Sequence, residues 1–518
     1  MHRFVKPSLI ITCFVPAVPE PGDTSAREYL ARLWDACGML GMTAAFGGLP
    51  LSARPFSGSA VPAAEFTVLA AATREDGPGI HAAYAFAEHD VLGLVALLAP
   101  NDLDAGLEQW TTLLDQWSAA LTAAGVTGLP PATILGEYRV FTALYRGGTP
   151  RSQRSMAESV RHHVPSPGGG DETWWRGHDV TEHGFSVWRT GGEGLGDPGA
   201  VVSDFCVLAP LRAEAALDEW AWAADGESGL RPLTHYLTHA AKAGYEARRY
   251  HAFASKEPLH ARRAHSDRES VALLRALQPT AAGEPVSLQD VLAAAAMLDR
   301  TQLGPHGMLW TITQHRDLSR TVSIAISNMG LYAPRLRRVG AGLSWPERDL
   351  AAAEALIAQV HNDLEYLSAA RERAEAARAA ATAVTDRALN EYRNRLSLVQ
   401  TSVLGSLLTA LTVVQTLHYD LPLPKVARLP TILVLTAVAL FLPLAVLRQA
   451  AVSAVRLPYH WIDSAAAGLL GSSTCWLALT VWRLHSGDAP LPPAVTTSAC
   501  VAVGLAVTAA AHRAARRR

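Results

Sequence analysis

The sequence predicts an α+β cytoplasmic region containing a duplicated ββαβ module, followed by a long helix and an all-α membrane domain of about four transmembrane helices. Three observations predict this. Charged side chains, 18% of the chain overall, almost vanish after residue 395. A strand–Leu-Ala-Pro–helix–strand pattern occurs twice in the first half. Between them and the apolar end lies a run free of Gly and Pro from Glu347 to Leu404.

In the first module, residues 9–15 read as a buried strand rather than a signal peptide. The apolar run is short, ends at Pro16 and lacks a small-x-small cleavage site. Residues 24–37 read as an amphipathic helix with Leu30, Leu33 and Trp34 inward, and 79–87 with 91–98 as a hairpin. A helix over 103–123 and a strand over 133–145 complete the N-terminal domain, 1–147. Residues 148–172, rich in Gly, Pro and Ser, read as a linker. The second unit, 173–254, repeats the spacing: Leu98-Ala99-Pro100 precedes Trp110 as Leu208-Ala209-Pro210 precedes Trp220. Its returning strand is expected over 245–250. Residues 255–343 form a helical region, clearest over 267–277 and 287–303, and end in a basic connector at 334–342.

Ser344-Trp345-Pro346-Glu347 is a capping box, with Pro tolerated because first-turn amides lack intrahelical partners. The helix over 344–395 would be about 75 Å long at about 1.5 Å per residue. Its apolar stripe runs Leu350, Ala353, Ile357, Val360, Leu364, Leu367, then Ala370, Ala374, Ala377 and Ala381. That seam can pair with a second copy of the chain or lie on its own domain.

Charge-free segments at 396–417, 429–447, 464–482 and 494–511 are each long enough to cross a bilayer. A basic tail, 512–518, follows. Arg448, Arg456, Arg513 and the final three arginines bias both termini to the cytoplasmic side of the plasma (inner) membrane. Small residues Ser402, Ser406, Thr409, Gly468, Gly471 and Ser472 suit close helix packing. No charge lies in mid-membrane to mark an ion relay.

The sequence marks no catalytic, cofactor-binding or metal-binding residues. P-loop, dinucleotide, nucleophile-elbow and zincin motifs are all absent. His235 and His239 stand four apart on a helix but lack a third ligand, so a surface or interface pair is expected. His162 and His163 lie in the linker. The glycine run from Gly191 to Gly196 lacks the third glycine of a dinucleotide loop. Cys206 sits in an apolar strand without a nucleophile signature. The five cysteines, Cys13, Cys37, Cys206, Cys475 and Cys500, form no C-x-x-C pair and suggest no disulfide framework. A formal net charge of −2 argues against a nucleic-acid partner.

The segment from Tyr29 to Cys37 leading into Gly41-Met42, then Gly79-Ile80-His81, Glu88-His89-Asp90-Val91, Leu98-Ala99-Pro100 and the helix with Trp110 and Trp117, resembles the CATRA proteins. These are caspase- and TPR-repeat-associated components of bacterial conflict systems. Ser327-Asn328-Met329 and the Ser344 helix extend the resemblance. It implies a defence role beside a caspase-like protease and TPR-containing partner proteins, and carries over no functional residue. The expected function is a non-enzymatic, membrane-anchored sensor, adaptor or membrane effector, with a possible homo-oligomer through 344–395. The alternative is a channel or transporter gated by the cytoplasmic domain.

Overall fold

A computed structural model describes residues 3–18, 22–57, 63–102, 104–147, 153–165, 174–191, 201–222, 229–256, 258–278, 286–419, 424–450, 460–486 and 492–516. The chain divides into two compact units: 1–262 with 309–368, and 263–308 with 369–518.

The first unit is built on one sheet. Its strands are β1 (Arg3–Pro16), β2 (Ala44–Ala45), β3 (Ala63–Thr73), β4 (Ile80–His89), β5 (Val91–Ala99), β6 (Gly136–Arg146), β7 (His178–Thr181), β8 (Ser186–Gly191), β9 (Val202–Pro210) and β10 (Leu336–Val339). They lie in the order β10-β7-β8-β9-β6-β1-β5-β4-β3-β2. Neighbours are antiparallel except β6 and β9, which run parallel with Phe141 opposite Cys206.

Both faces of this sheet are covered, because the central strands are apolar on both sides. Along β1, Leu9, Ile11, Cys13 and Val15 face one core while Ile10 and Phe14 face the other. The first face carries α1 (Ser25–Met39), α2 (Gln109–Ala123) and α3 (Gln153–His163), which bury Leu30, Leu33, Trp110, Trp117 and Val160. The second carries α4 (Glu214–Ala221), α5 (Pro232–Lys256), α8 (Met308–Tyr332) and the start of α9 (Trp345–Tyr419). Two further helices, α6 (Leu259–Ala276) and α7 (Leu288–Leu303), precede α8.

This three-layer arrangement corrects the duplicated ββαβ module. Leu98 and Leu208 do point into the same core, but Trp110 lies in the first core and Trp220 in the second. The two helices therefore leave equivalent strand ends toward opposite faces. The strand expected over 245–250 is helical, as part of α5. Its buried residues Tyr236, Ala240, Ala243, Ala247 and Tyr250 recur at steps of three and four, with Leu233, Leu237 and Ala241 beside them, a helical stripe that outweighs the local Tyr/Arg richness. Within the expected linker, α3 buries Met156, Ala157 and Val160. The basic connector forms β10, pairing Leu336 with Thr181 and Val339 with His178. The expected helix over 103–123 begins at Gln109.

The long helix forms, and its capping box closes through Ser344 N–H donating to Glu347 Oε2 at 2.8 Å. Much of its stripe is covered by residues of the same chain. In the first unit Trp345, Ala353, Leu356 and Val360 belong to the core. In the second unit Ala374, Ala377 and Ala381 pack against Leu273 of α6 and Val291 and Leu298 of α7. Arg373 pairs with Asp267 at 2.8 Å, and Arg378 pairs with Asp299. Alanine buries little area alone, so neighbouring helices that come close supply what the stripe lacks.

The second unit also holds α10 (Lys425–Ala450), α11 (His460–Ser486) and α12 (Pro493–Arg516). Here the expectation of about four membrane spans is corrected to two candidate spans among the described residues. Among the described residues only Ser464–Ser486 and Pro493–Arg513 are long and apolar enough to cross a bilayer. Freedom from charge is weaker than sustained apolarity. Residues 396–417 continue α9 and include two Gln and seven Ser or Thr. Against α11, α12 packs through small residues: Gly504 lies against the Gly468 carbonyl and Ser472, and Gly471 against Val507.

Candidate ligand pocket

A cavity of about 420 Å³ opens at the carboxyl end of β5, between the end of α1 and the start of α2. Three glycines shape it. After α1, Gly41 adopts a φ of +82°; Gly41 N–H donates to the Gly38 carbonyl and Met42 N–H to that of Cys37. This is a Schellman stop, and it buries Met42. In the turn between β3 and β4, Gly77 lies beside the Arg74 guanidinium. Gly79 (φ +85°) comes so close to the Ala99 carbonyl that any Cβ would collide with it. A side chain at Gly41 or Gly77 would press on Arg74, so the glycines leave room for that residue.

Arg74 is the cation of the pocket. Its Nη2 donates to the Gly79 carbonyl at 3.3 Å, while Nε is buried without a partner. No carboxylate lies within ion-pair reach of it among the described residues. Burial pulls the guanidinium below its ordinary pKa. His81 is 3% exposed, and its Nδ1 lies 3.4 Å from the Leu40 carbonyl at the end of α1. Burial and then the Arg74 charge lower its pKa, so the ring is neutral at pH 7. Around these, Gln109 and Gln116 line one side along α2, with Asn101 and Asp102 at the strand end and Leu40, Leu113 and Pro100 as apolar wall. Asp102 Oδ1 also accepts the Asp104 N–H, which fixes the loop.

Elsewhere in the first unit, a buried ionic network fastens α9 to the sheet. Arg189 of β8 meets Asp349 at 2.7 Å, with side-chain exposures of 8% and 3%. Tyr236 O–H donates to the other Asp349 oxygen at 3.1 Å, and Arg189 Nη2 reaches Ser203 Oγ at 3.1 Å. Asp179 accepts the Trp345 N–H at 2.9 Å and pairs with Arg338 at 3.2 Å. On the opposite face Tyr29 O–H donates to the buried Glu137 at 2.7 Å, and Arg139 pairs with Asp204 at 2.7 Å. Burial raises the pKa of both Glu137 and Asp204.

The model of the CASPASE and TPR Repeat-Associated N-terminal domain, CATRA-N, matches residues 8–225. That of the corresponding C-terminal domain, CATRA-C, matches residues 231–374. The chain belongs to the CATRA family. No curated protein and no solved structure matches it.

CATRA-N thus spans the sheet from β1 to β9 with the helices of the first face and α4, while CATRA-C runs from α5 into α9. The residues that carried the resemblance to CATRA proteins are distributed structurally. Gly41, Gly79 and His81 build the pocket, and Leu98, Trp110 and Trp117 fill the first core. Trp110 Nε1 donates to the Thr142 carbonyl at 2.9 Å. The Glu88-His89-Asp90 turn docks on α5: Glu88 lies 3.9 Å from His235 Nδ1, and Asp90 pairs with Lys242 at 2.5 Å.

His235 and His239, expected as a surface or interface pair, both stack on one residue of α8. The Tyr332 ring lies 4.4 Å from His235 and 5.9 Å from His239, centroid to centroid. No group of three or more ligating side chains suited to a metal occurs among the described residues. His163 is on α3, its Nδ1 2.7 Å from the Ser159 carbonyl. Cys206, Cys13 and Cys37 are buried, free thiols whose pKa burial raises. Most of the glycine run, 192–196, lies outside the described residues. In the sequence Arg74 is one arginine beside two acids, with no motif to mark it. The signal was the density of glycine around it, at 41, 77 and 79.

Proposed function

We propose that this CATRA chain is a membrane-anchored, non-enzymatic sensor or adaptor of a caspase- and TPR-associated bacterial conflict system. The α/β unit supplies recognition and the C-terminal hairpin of α11 and α12 supplies the anchor. One observation carries the reading: α9 begins as a core element, with Trp345 fully buried, and runs unbroken to Tyr419 toward the apolar end of the chain. The pocket offers groups suited to holding a ligand, namely a cation, a neutral imidazole and carboxamides, rather than a nucleophile beside its base. The two apolar helices are mostly unburied, with Val481, Trp482, Val501 and Leu505 exposed, as lipid-facing helices are and core helices are not.

With two spans the Arg distribution favours both flanks in the cytoplasm. Arg448 and Arg456 precede the hairpin, and Arg513 to Arg518 follow it. Single cysteines in a cysteine-free background test this. One placed within 485–490 reacts with an impermeant thiol reagent on intact cells, while those within 421–428 and 448–458 do not. Labelling within 421–428 overturns the two-span topology. Co-purification from native membranes tests the adaptor role, with a caspase-like protease and a TPR-containing protein as the expected companions. Ion flux through the purified chain in liposomes, or recovery of the chain in the soluble fraction, overturns the reading.

A further inference from the structure

We infer that the pocket between β5, α1 and α2 binds a nucleoside monophosphate. This rests on the sensor reading above and deepens it by naming the chemistry sensed. Arg74 is partly buried with no carboxylate partner among the described residues, and its Nε has no acceptor at all. A desolvated guanidinium left uncompensated favours an anion, and its fork geometry suits two phosphate oxygens. His81, almost wholly buried, lines the same cavity. Its Nδ1 lies 3.4 Å from the Leu40 carbonyl.

Size decides against a bare oxyanion. A cavity of about 420 Å³ falls in the range of about 300–1,000 Å³ typical of small-molecule sites. An anion the size of phosphate would fill only a small part of it. The remaining lining is of mixed character. Gln109 and Gln116, one helical turn or more apart on α2, present carboxamides that can both donate and accept, as the edge of a purine requires. Leu113 between them offers an apolar surface for the flat face of a base. Asp102 adds a negative group that a purely anionic ligand would shun. It suits the hydroxyls of a ribose, which a carboxylate accepts from. A phosphate, a diol and a base account together for the cation, the acid and the carboxamides. An acidic peptide would leave Asp102 without a use.

Titration calorimetry of the full chain in nanodiscs tests the assignment, with AMP, GMP, adenosine and inorganic phosphate as probes. At least one monophosphate binds, and adenosine and phosphate each bind tenfold or more weakly. Arg74→Ala weakens the monophosphate tenfold or more, and Arg74→Lys recovers part of that. Gln116 is exposed, so Gln116→Trp leaves the fold intact and blocks the cavity, abolishing binding with an unchanged melting temperature. The inference fails if no monophosphate binds the folded chain. It fails equally if phosphate alone matches the monophosphate, if an acidic peptide alone binds, or if Gln116→Trp binds as the parent does. Loss of nucleotide binding with the companions still co-purifying removes the ligand and leaves the adaptor reading standing. Turnover of the bound nucleotide removes the non-enzymatic reading instead.

Discussion

Replacing Asp349 by Ala should be among the most damaging single changes in the first unit. The substitution strips Arg189 of its carboxylate while leaving the guanidinium in place, 8% exposed. Burial pulls the Arg189 pKa down, but the charges led by Asp349 outweigh that and hold it above its ordinary value. Removing one partner of such a pair costs about 3–5 kcal/mol, because the other charge stays buried. Tyr236 O–H also loses its acceptor, a loss of about 1 kcal/mol or more. Ser203 Oγ and the Phe205 ring, 5.3 Å from the guanidinium, offset part of this. A net cost of about 4 kcal/mol follows. With m of about 4 kcal/mol/M for a unit of this size, the urea midpoint falls by about 1 M. Tryptophan emission of the full chain in detergent reports the transition, since Trp345 and Trp188 are both buried in this unit. The double variant Arg189→Met with Asp349→Leu should recover most of the loss, because an apolar pair of similar volume carries no stranded charge. As a reference, Arg373→Ala breaks a half-exposed pair with Asp267 and should cost under about 1 kcal/mol. A midpoint shift below about 0.2 M for Asp349→Ala, or a double variant as damaged as the single one, refutes the reasoning.

Acid should destabilise the parent partly through His239, whose pKa burial pulls down to about 4, with Lys242 and His235 adding to the effect. The unfolded chain takes up that proton near the ordinary value of 6.5 and the folded chain does not, so this stability holds above pH 6.5 and drains away toward pH 4. His239→Gln should shrink the loss between pH 7 and pH 5 by on the order of 1 kcal/mol, as read from urea midpoints at the two pH values. Unchanged pH dependence would count against a buried neutral ring. Gly79→Ala combines a positive φ with a clash on the Ala99 carbonyl and should cost about 3 kcal/mol, whereas Gly128→Ala, at a φ of +95° in open space, should cost about 1 kcal/mol. Equal melting temperatures for the two variants would show that the close approach does not matter. Cys475 and Cys500 are within hydrogen-bonding reach across α11 and α12. Mild oxidation should cross-link them in the parent and fail in Gly468→Leu, where the new side chain meets Thr508. Cross-linking that survives the substitution would refute the small-residue packing.

Local features of this chain were legible in its sequence because their causes are local. The stripe of Leu30, Leu33 and Trp34 and the capping box at Ser344 each involve residues a few positions apart. So does the hairpin of β4 and β5, joined by a single residue, Asp90, with Glu88 paired to Val91. Period and turn chemistry act over that range. The CATRA signature was readable for the same reason, since Gly41 and Gly79 encode particular backbone shapes. The tertiary structure decided what depends on distant partners. Whether Trp110 and Trp220 repeat one another turned on which face of the sheet each helix chose, and the Leu-Ala-Pro spacing is silent on that choice. Which surfaces cover the stripe of the long helix turned on Phe205, Tyr236 and Val291, residues up to about 140 positions from it. Arg74 acquired its role only when the turn after β3, the end of β5 and both flanking helices met around it. Sequence periodicity records which side of an element wants to be dry, and only packing determines which surface dries it.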